Sequence, residues 1–385
     1  TMTTDGAVTV TQGKLEGLAL TSLNFAGDND YVSCGTSSNI ISDFDGGDFT
    51  VSAWFYPNTT DKDCIFSCGD SNDDHLQVFS MSNDIFYSHE VDGSLVRNQF
   101  ATGALVVTDK WHQITVTSDA GTVKFYLNGV ELTGATSQSS TAGNHGSTFE
   151  IGVNQPGDYF NGNIRDVRVY DGNVLSADQV ASLYSNSFPV TPTHWWKFDE
   201  GTGGASDDIL DTGTGTARNA DARNFALSGG GDGDWNNGTL NLDGTLTIDT
   251  TGTLSAPRGI VQVEGDFSNS STIADANGNY GFTHNSGTYE NTGAGENILH
   301  TGVTTTFATL DTDVRLIVDT NINVETAITG SGQIRPNRAT SSGGQTFTMG
   351  TDTSAADITT GFFGMWGNSC TIKIYAKNQL YPWTM

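Results

Sequence analysis

KWHQITVTSDAGTVKFYLNGVEL, residues 110–132, is the stretch whose reading decides the fold. Val123, Phe125 and Leu127 recur at every second position, the period of a strand with one buried face. They run into Asn128-Gly129. That dipeptide marks a two-residue hairpin, because both central residues of a type I′ turn take positive φ. The same alternation lies upstream. Phe49, Val51, Ala53 and Phe55 point one way, while Thr50, Ser52, Trp54 and Tyr56 point the other. Ile151 with Val153, and the run from Ile164 to Tyr170, predict further strands. One short helix follows: Ser176 and Gln179 have capping-box spacing, and Val180, Leu183 and Tyr184 supply its apolar stripe. Pro189 and Pro192 close this unit.

The composition agrees with an all-β chain. Over 385 residues there are 47 Gly but only 7 Pro, with Thr, Ser and Asn recurring, as expected of many turns between short strands. The length exceeds one compact core and predicts two or three domains. Acidic residues number 44 against 16 basic ones, a formal net charge of -28. A potential of that sign repels phosphate backbones, so nucleic acid is not an expected partner. Nothing approaches the roughly 18 apolar residues of a membrane span, and membrane insertion is not expected. No secretion signal opens the chain, and Thr1 precedes Met2; with a surface-type architecture, this points the expectation towards a virus particle. Cys34, Cys64, Cys68 and Cys370 lack the paired Cys-x-x-Cys spacing of a zinc site and are expected as small buried residues or free thiols.

Four blocks carry a family resemblance: LNFAGDNDYVSCG (23–35), FTVSAWFYP (49–57), residues 110–132, and FNGNIRDVRVYDGNVLSADQVASLY (160–184). In that order and spacing they resemble the signature blocks of laminin G-like, concanavalin A-like jelly rolls. The resemblance implies two packed antiparallel sheets over residues 20–185, with a small helix near the end.

Residues 193–220, THWWKFDEGTGGASDDILDTGTGTARNA, resemble the opening of another such domain, but the continuation is missing. They fit either a degenerate second copy or a strand returning to complete the first sandwich. After Gly229-Gly230-Gly231 the texture changes. Apolar pairs such as Leu240/Leu242, Leu246/Ile248 and Val261/Val263 sit between Gly- and Asp-bearing turns, which suggests a β-solenoid-like stack of short rungs. The expected division is therefore a jelly roll at 1–188, a linker or partial second segment at 189–235, and a repeat domain at 236–385. The aromatic tail 362–385 is expected to cap the stack or to make a subunit contact.

Enzyme signatures are thin. Glucanases of the concanavalin A-like fold use a nucleophile and an acid/base about 5–5.5 Å apart, typically from Glu-x-Asp-x-Glu. Glu90-Val91-Asp92 is the nearest fragment and lacks the third acid. The seven histidines form no metal-spaced pair, and His112 is expected as a packed structural residue. For a metal, the resemblance implies a structural Ca²⁺ at the sandwich rim, held by Asp28 and Asp30 of the AGDND turn with Asp166. Asp166 also has a simpler partner in Arg165 or Arg168, because an acid within an apolar strand needs one. Asp70, Asn72, Asp73 and Asp74 form a second acidic loop, read as solvated. Among the aromatics, Trp54 and Trp111 read as packing residues, and Tyr159, in the Gly- and Asp-rich loop 154–163, is the candidate sugar contact.

These readings converge on a non-catalytic, surface-displayed structural or adhesion protein with a carbohydrate-binding-type domain. The expected setting is a phage virion (a fibre, knob or decoration protein) or else the extracellular cell surface. A secreted bacterial glycan-binding adhesin and an accessory region of a polysaccharide-degrading enzyme are the alternatives. The expected partners are further copies of the chain in a homo-oligomer such as a trimer, other virion or surface proteins, and a cell-surface glycan.

Overall fold

The computed structural model describes residues 21–336 apart from 44–46, 70–74, 92–93, 100–104, 133–147, 155–156, 186–189, 201–208, 226–233, 276–277, 294 and 319–320. It also describes strands at 2–4, 8–16, 345–349, 357–358, 362–363 and 370–374. The acidic loop 70–74, Asp92 and most of the aromatic tail lie outside the described residues. The chain forms two compact units, Ser22–Asn236 and Thr1–Thr21 with Asn237–Met385.

The first unit is a pair of antiparallel sheets. The eight-stranded sheet runs in the order Val130–Glu131, Thr122–Leu127, His112–Asp119, Phe49–Pro57, Asn161–Asp171, Ser22–Ala26, Asp234–Asn236, and His194–Trp196 also pairs with Asn161–Asp171. The seven-stranded sheet is Asp221–Arg223, Tyr31–Ser33, Phe149–Ile151, Asp63–Gly69, His75–Met81, Asp84–Val91, Ser94–Gln99. Asn128 and Gly129 have φ of 53° and 78° and join a hairpin in which Leu127 faces Val130, as the dipeptide requires. Val51, Ala53, Phe55, Ile114, Val116 and Phe125 meet Phe66, Phe149 and Ile151 in one buried core. This alternation is what two sheets packed face to face need. Cys34, Cys64 and Cys68 are buried in the sandwich, and His112 is buried with its ring against Phe55.

Helix α1 (Ala177–Tyr184) carries the expected capping box. Ser176 Oγ accepts from the Gln179 N–H, and the Gln179 side chain accepts from the Ser176 N–H. Its Val180 and Leu183 pack with Tyr126, Tyr170 and Leu175 in a small separate cluster.

Between the two accounts left open for residues 193–220, the structure selects the returning strand. His194–Trp196 pairs with Asn161–Asp171, and Asp221–Arg223 pairs with Tyr31–Ser33. Trp196, Phe198, Ile209, Ala220, Ala222 and Phe225 all join the sandwich core. Asp211 organises the return: it accepts from the backbone N–H groups of Trp195, Gly213 and Arg218 and lies 2.6 Å from His194 Nδ1. Burial pushes its carboxyl up, but these hydrogen bonds hold it below the ordinary value.

The second unit is built differently. Successive strands alternate between two parallel sheets, each pairing with a strand one rung earlier. One sheet contains Thr239–Leu242, Ile260–Val263, Thr288–Asn291, Thr305–Thr312 and Ile322–Thr329 in turn; the other contains Leu246–Ser255, Phe267–Asn269, Glu296–Thr301, Arg315–Val318 and Gln333–Pro336. The inner positions Leu240, Leu242, Leu246, Ile248, Val261 and Val263 form one core, with Phe267, Phe282, Tyr289 and Phe307 clustered within it.

The unit borders differ from those expected. Met2–Thr4 pairs in parallel with Thr239–Leu242, and Val8–Glu16 pairs with Leu246–Ser255, so residues 1–21 belong with the second unit. The described strands His194–Trp196, Asp221–Arg223 and Asp234–Asn236 are part of the sandwich. A parallel partner lying beyond a whole domain leaves no local trace in nine residues of strand pattern, which explains why the border was misplaced.

Candidate functional site

Three loops at the rim of the sandwich enclose an open cleft of about 410 Å³. The turn after Ser22–Ala26 contributes Gly27 and Asp28, the connection before Asp63–Gly69 contributes Thr59, Asp61 and Lys62, and the approach to Asn161–Asp171 contributes Asp158 and Tyr159. Gly27 has a φ of 87°, and a Cβ there would come within 2.8 Å of Asn161, so glycine lets the first loop lie against the third. Asn161 ties the loops together. Its carbonyl accepts from the Asn58 N–H at 2.9 Å, its side-chain oxygen accepts from Asn58 Nδ2 at 3.1 Å, and its own N–H donates to Asp63 at 3.0 Å.

Asp63 is the buried post of the cleft. Its second oxygen accepts from Thr59 Oγ1 at 3.0 Å. Burial pushes its carboxyl up to about 6 against the opposition of these two hydrogen bonds. With both oxygens engaged inside the protein, it braces the loops rather than facing a ligand. Lys62 meets Asp158 at 2.5 Å and lies 4.8 Å from the Phe79 ring centroid. Asp158 is fixed further by Asn154, which donates to its carboxylate at 2.9 Å and accepts from its N–H at 2.7 Å. Tyr159 bridges to Val153 and leaves its ring half-buried at the cleft wall.

Of the residues singled out in the sequence, Asp28 and Tyr159 line this one cleft. Asp28 is exposed and accepts from the Asn29 N–H at 2.7 Å. Asp30 is fully buried and accepts from the Ala26 N–H at 2.8 Å, closing its own turn. Asp166 is committed elsewhere: one oxygen meets Arg168 Nη2 and the other accepts from Trp195 Nε1, each at 2.5 Å. The salt bridge is thus the observed partner of Asp166. Asp28, Asp30 and Asp166 are not grouped with one another among the described residues. Among the described residues no three His, Cys, Asp or Glu side chains are grouped to hold a metal ion.

Sequence reading missed Asp61, Lys62, Asp63, Asp158 and Asn161. The acid-Lys-acid run at 61–63 was the available signal, but only the sheet register brings it to Asn161. In chemical terms the cleft offers carboxylates and amides for hydroxyl groups beside one aromatic ring.

Residues 26–181 match the concanavalin A-like lectin/glucanases superfamily. No curated protein matches the chain. Solved structures similar to the concanavalin A-like domain include the heptameric SAP-like pentraxin of Limulus polyphemus, at 17% identity over 45% of this chain and 85% of that one, TM-score 0.34. Domain 4 of an extracellular arabinanase from Geobacillus stearothermophilus, solved with arabinotriose, is 23% identical over 36% of this chain and 67% of that one, TM-score 0.31. Domains LG4-5 of the mouse laminin alpha1 chain are 11% identical over 41% and 42%, TM-score 0.31. No described helix is long and apolar enough to cross a membrane.

Proposed function

We propose that the concanavalin A-like domain binds a saccharide in the rim cleft without catalysing a reaction on it. The observation that carries this reading is the convergence of the Tyr159 ring with Asp28, Asp61 and Asn161 around one open cavity. An aromatic face beside a few fixed polar groups is the usual make-up of a small-ligand site. Four aspartates against one lysine line the cleft, so a neutral or amino sugar suits it better than an anionic one. The parallel stack of the second unit supports a structural role, in which the domain is displayed on a surface. We extend the proposal on that basis to a phage virion component or, alternatively, a bacterial adhesin. A gene position beside capsid or tail genes distinguishes the first from the second.

The test is a glycan array followed by calorimetric titration of the best neutral hit. Tyr159→Ala is expected to weaken binding at least tenfold, in line with loss of a stacked aromatic ring, while leaving the thermal melt in place. Failure of every neutral glycan to bind, or binding indifferent to Tyr159→Ala, overturns the reading. Repeating the titration in a calcium chelator decides whether an ion takes part.

A further inference from the structure

We infer that the outer face of the eight-stranded sheet carries a second site, which takes the carboxylate of an acidic saccharide on Arg165. The cross-strand register places Gln113, Trp54 and Arg165 side by side in one row. Trp54 alternates with the core residues Ala53 and Phe55, so this row faces away from the core. The Arg165 guanidinium lies 5.3 Å from the Trp54 ring centroid and 4.7 Å from that of Trp111. Tyr56 meets Trp111 edge-on at 5.6 Å, and Tyr184 of α1 stacks on Trp54 at 5.5 Å.

Two polar groups in this row have atoms without a hydrogen-bond partner among the described residues. The Arg165 side chain makes no hydrogen bond or ion pair among the described residues; its contacts are the two indole rings, and its Nε is buried. That is unexpected in a chain with 44 acidic and 16 basic residues. The adjacent Asp166 acts on Arg165 through its charge but makes its ion pair with Arg168. A break in register between Arg165 and Arg168, with Asp166 at a φ of 57°, sends its side chain to Arg168 and Trp195. Gln113 is 1% exposed, and neither its Nε2 nor its Oε1 has a hydrogen-bond partner among the described residues. Buried polar groups without partners are rare and call for an explanation.

One ligand chemistry suits a guanidinium held between two indoles without an ion pair. A guanidinium presents a planar fork that pairs with a carboxylate through two parallel N–H···O bonds. Trp111, half-buried beside it, adds an aromatic wall against which a sugar ring can rest. A uronate residue within an oligosaccharide brings the carboxylate and the stacking ring together. The charge complementarity is specific to this face, because the rim cleft, lined by four aspartates, repels the same ligand. The inference therefore stands apart from the proposed cleft function.

The test titrates the full chain, by calorimetry and tryptophan fluorescence, with oligogalacturonate and with alginate oligosaccharide. Methyl-esterified oligogalacturonate, which keeps the sugar and masks the charge, is the control. Binding of at least one acidic oligomer and none of the ester is expected, and the affinity should fall as salt rises. Arg165→Gln should weaken binding tenfold or more. Arg165→Lys, which keeps the charge and loses the fork, should give a smaller loss, and provides the reading if the first variant melts early. Tyr159→Ala should bind as the parent does. Absence of binding to both acidic oligomers, equal binding of the ester, indifference to both Arg165 variants, or loss of binding in Tyr159→Ala each overturns the inference.

Discussion

At the scale of single residues, the sandwich shows how one environment changes the role of an aspartate. Asp28 is exposed, Asp30 closes a turn, Asp166 neutralises Arg168, and Asp63 is held inside with a carboxyl pushed up to about 6 from an ordinary 3.8. The sign of the consequence for Asp63 is definite. Below about pH 4 it is protonated in folded and unfolded chains alike, and its full contribution is present. Between there and about pH 6 only the folded chain holds the proton, so the contribution is lost as pH rises through about 6. Asp63→Asn removes the buried charge while keeping an acceptor for the Asn161 N–H. It is expected to be more stable than the parent by about 1 kcal/mol at pH 7 and to show no such gain at pH 3.5. Denaturant melts of both proteins across that range provide the check; a constant difference would remove Asp63 as the cause.

Individual elements differ in how much of their structure is written locally. The Asn128-Gly129 hairpin and the Ser176/Gln179 capping box were legible because each depends on residues within a few positions. The inward set Val51, Ala53 and Phe55 was legible because strand alternation is short-ranged. The rim cleft was only half legible: Tyr159 and Asp28 stood out as types, but their neighbours Asp61 and Asp63 arrive through strand pairings distant in sequence. The returning segment 193–220 was ambiguous for the same reason, since Trp196 would suit the core of either of two sandwiches. Its anchor is Asp211, and removing that carboxylate strands three backbone N–H groups and His194. Asp211→Ala is therefore expected to cost about 3 kcal/mol in chemical unfolding. Asp211→Asn, which keeps one acceptor oxygen, should cost less. Equal stability of Asp211→Ala and the parent would show that the segment is held by Trp196 and Phe198 alone.

On the scale of the whole molecule, the sandwich is inserted between the first strands of the parallel unit and the rest of it. Its two ends meet, since Ser22 faces Asn236 across the pair Ser22–Ala26 and Asp234–Asn236, and its core is one contiguous cluster. Residues 22–236 expressed alone should thus give a cooperative thermal transition and the circular dichroism of an antiparallel β protein. A broad, non-cooperative melt would show that the sandwich depends on the parallel unit.

The pairing of Met2–Thr4 with Thr239–Leu242 also sets an order of events during synthesis. Met2–Thr4 and Val8–Glu16 leave the ribosome before the strands they pair with are made. At about 5–20 residues per second, roughly 10–50 s pass before one is made. Throughout that interval two short polar-edged segments wait while an entire lectin-like domain closes downstream of them. Met2–Thr4 and Val8–Glu16 are thus among the last segments of this chain to find their place.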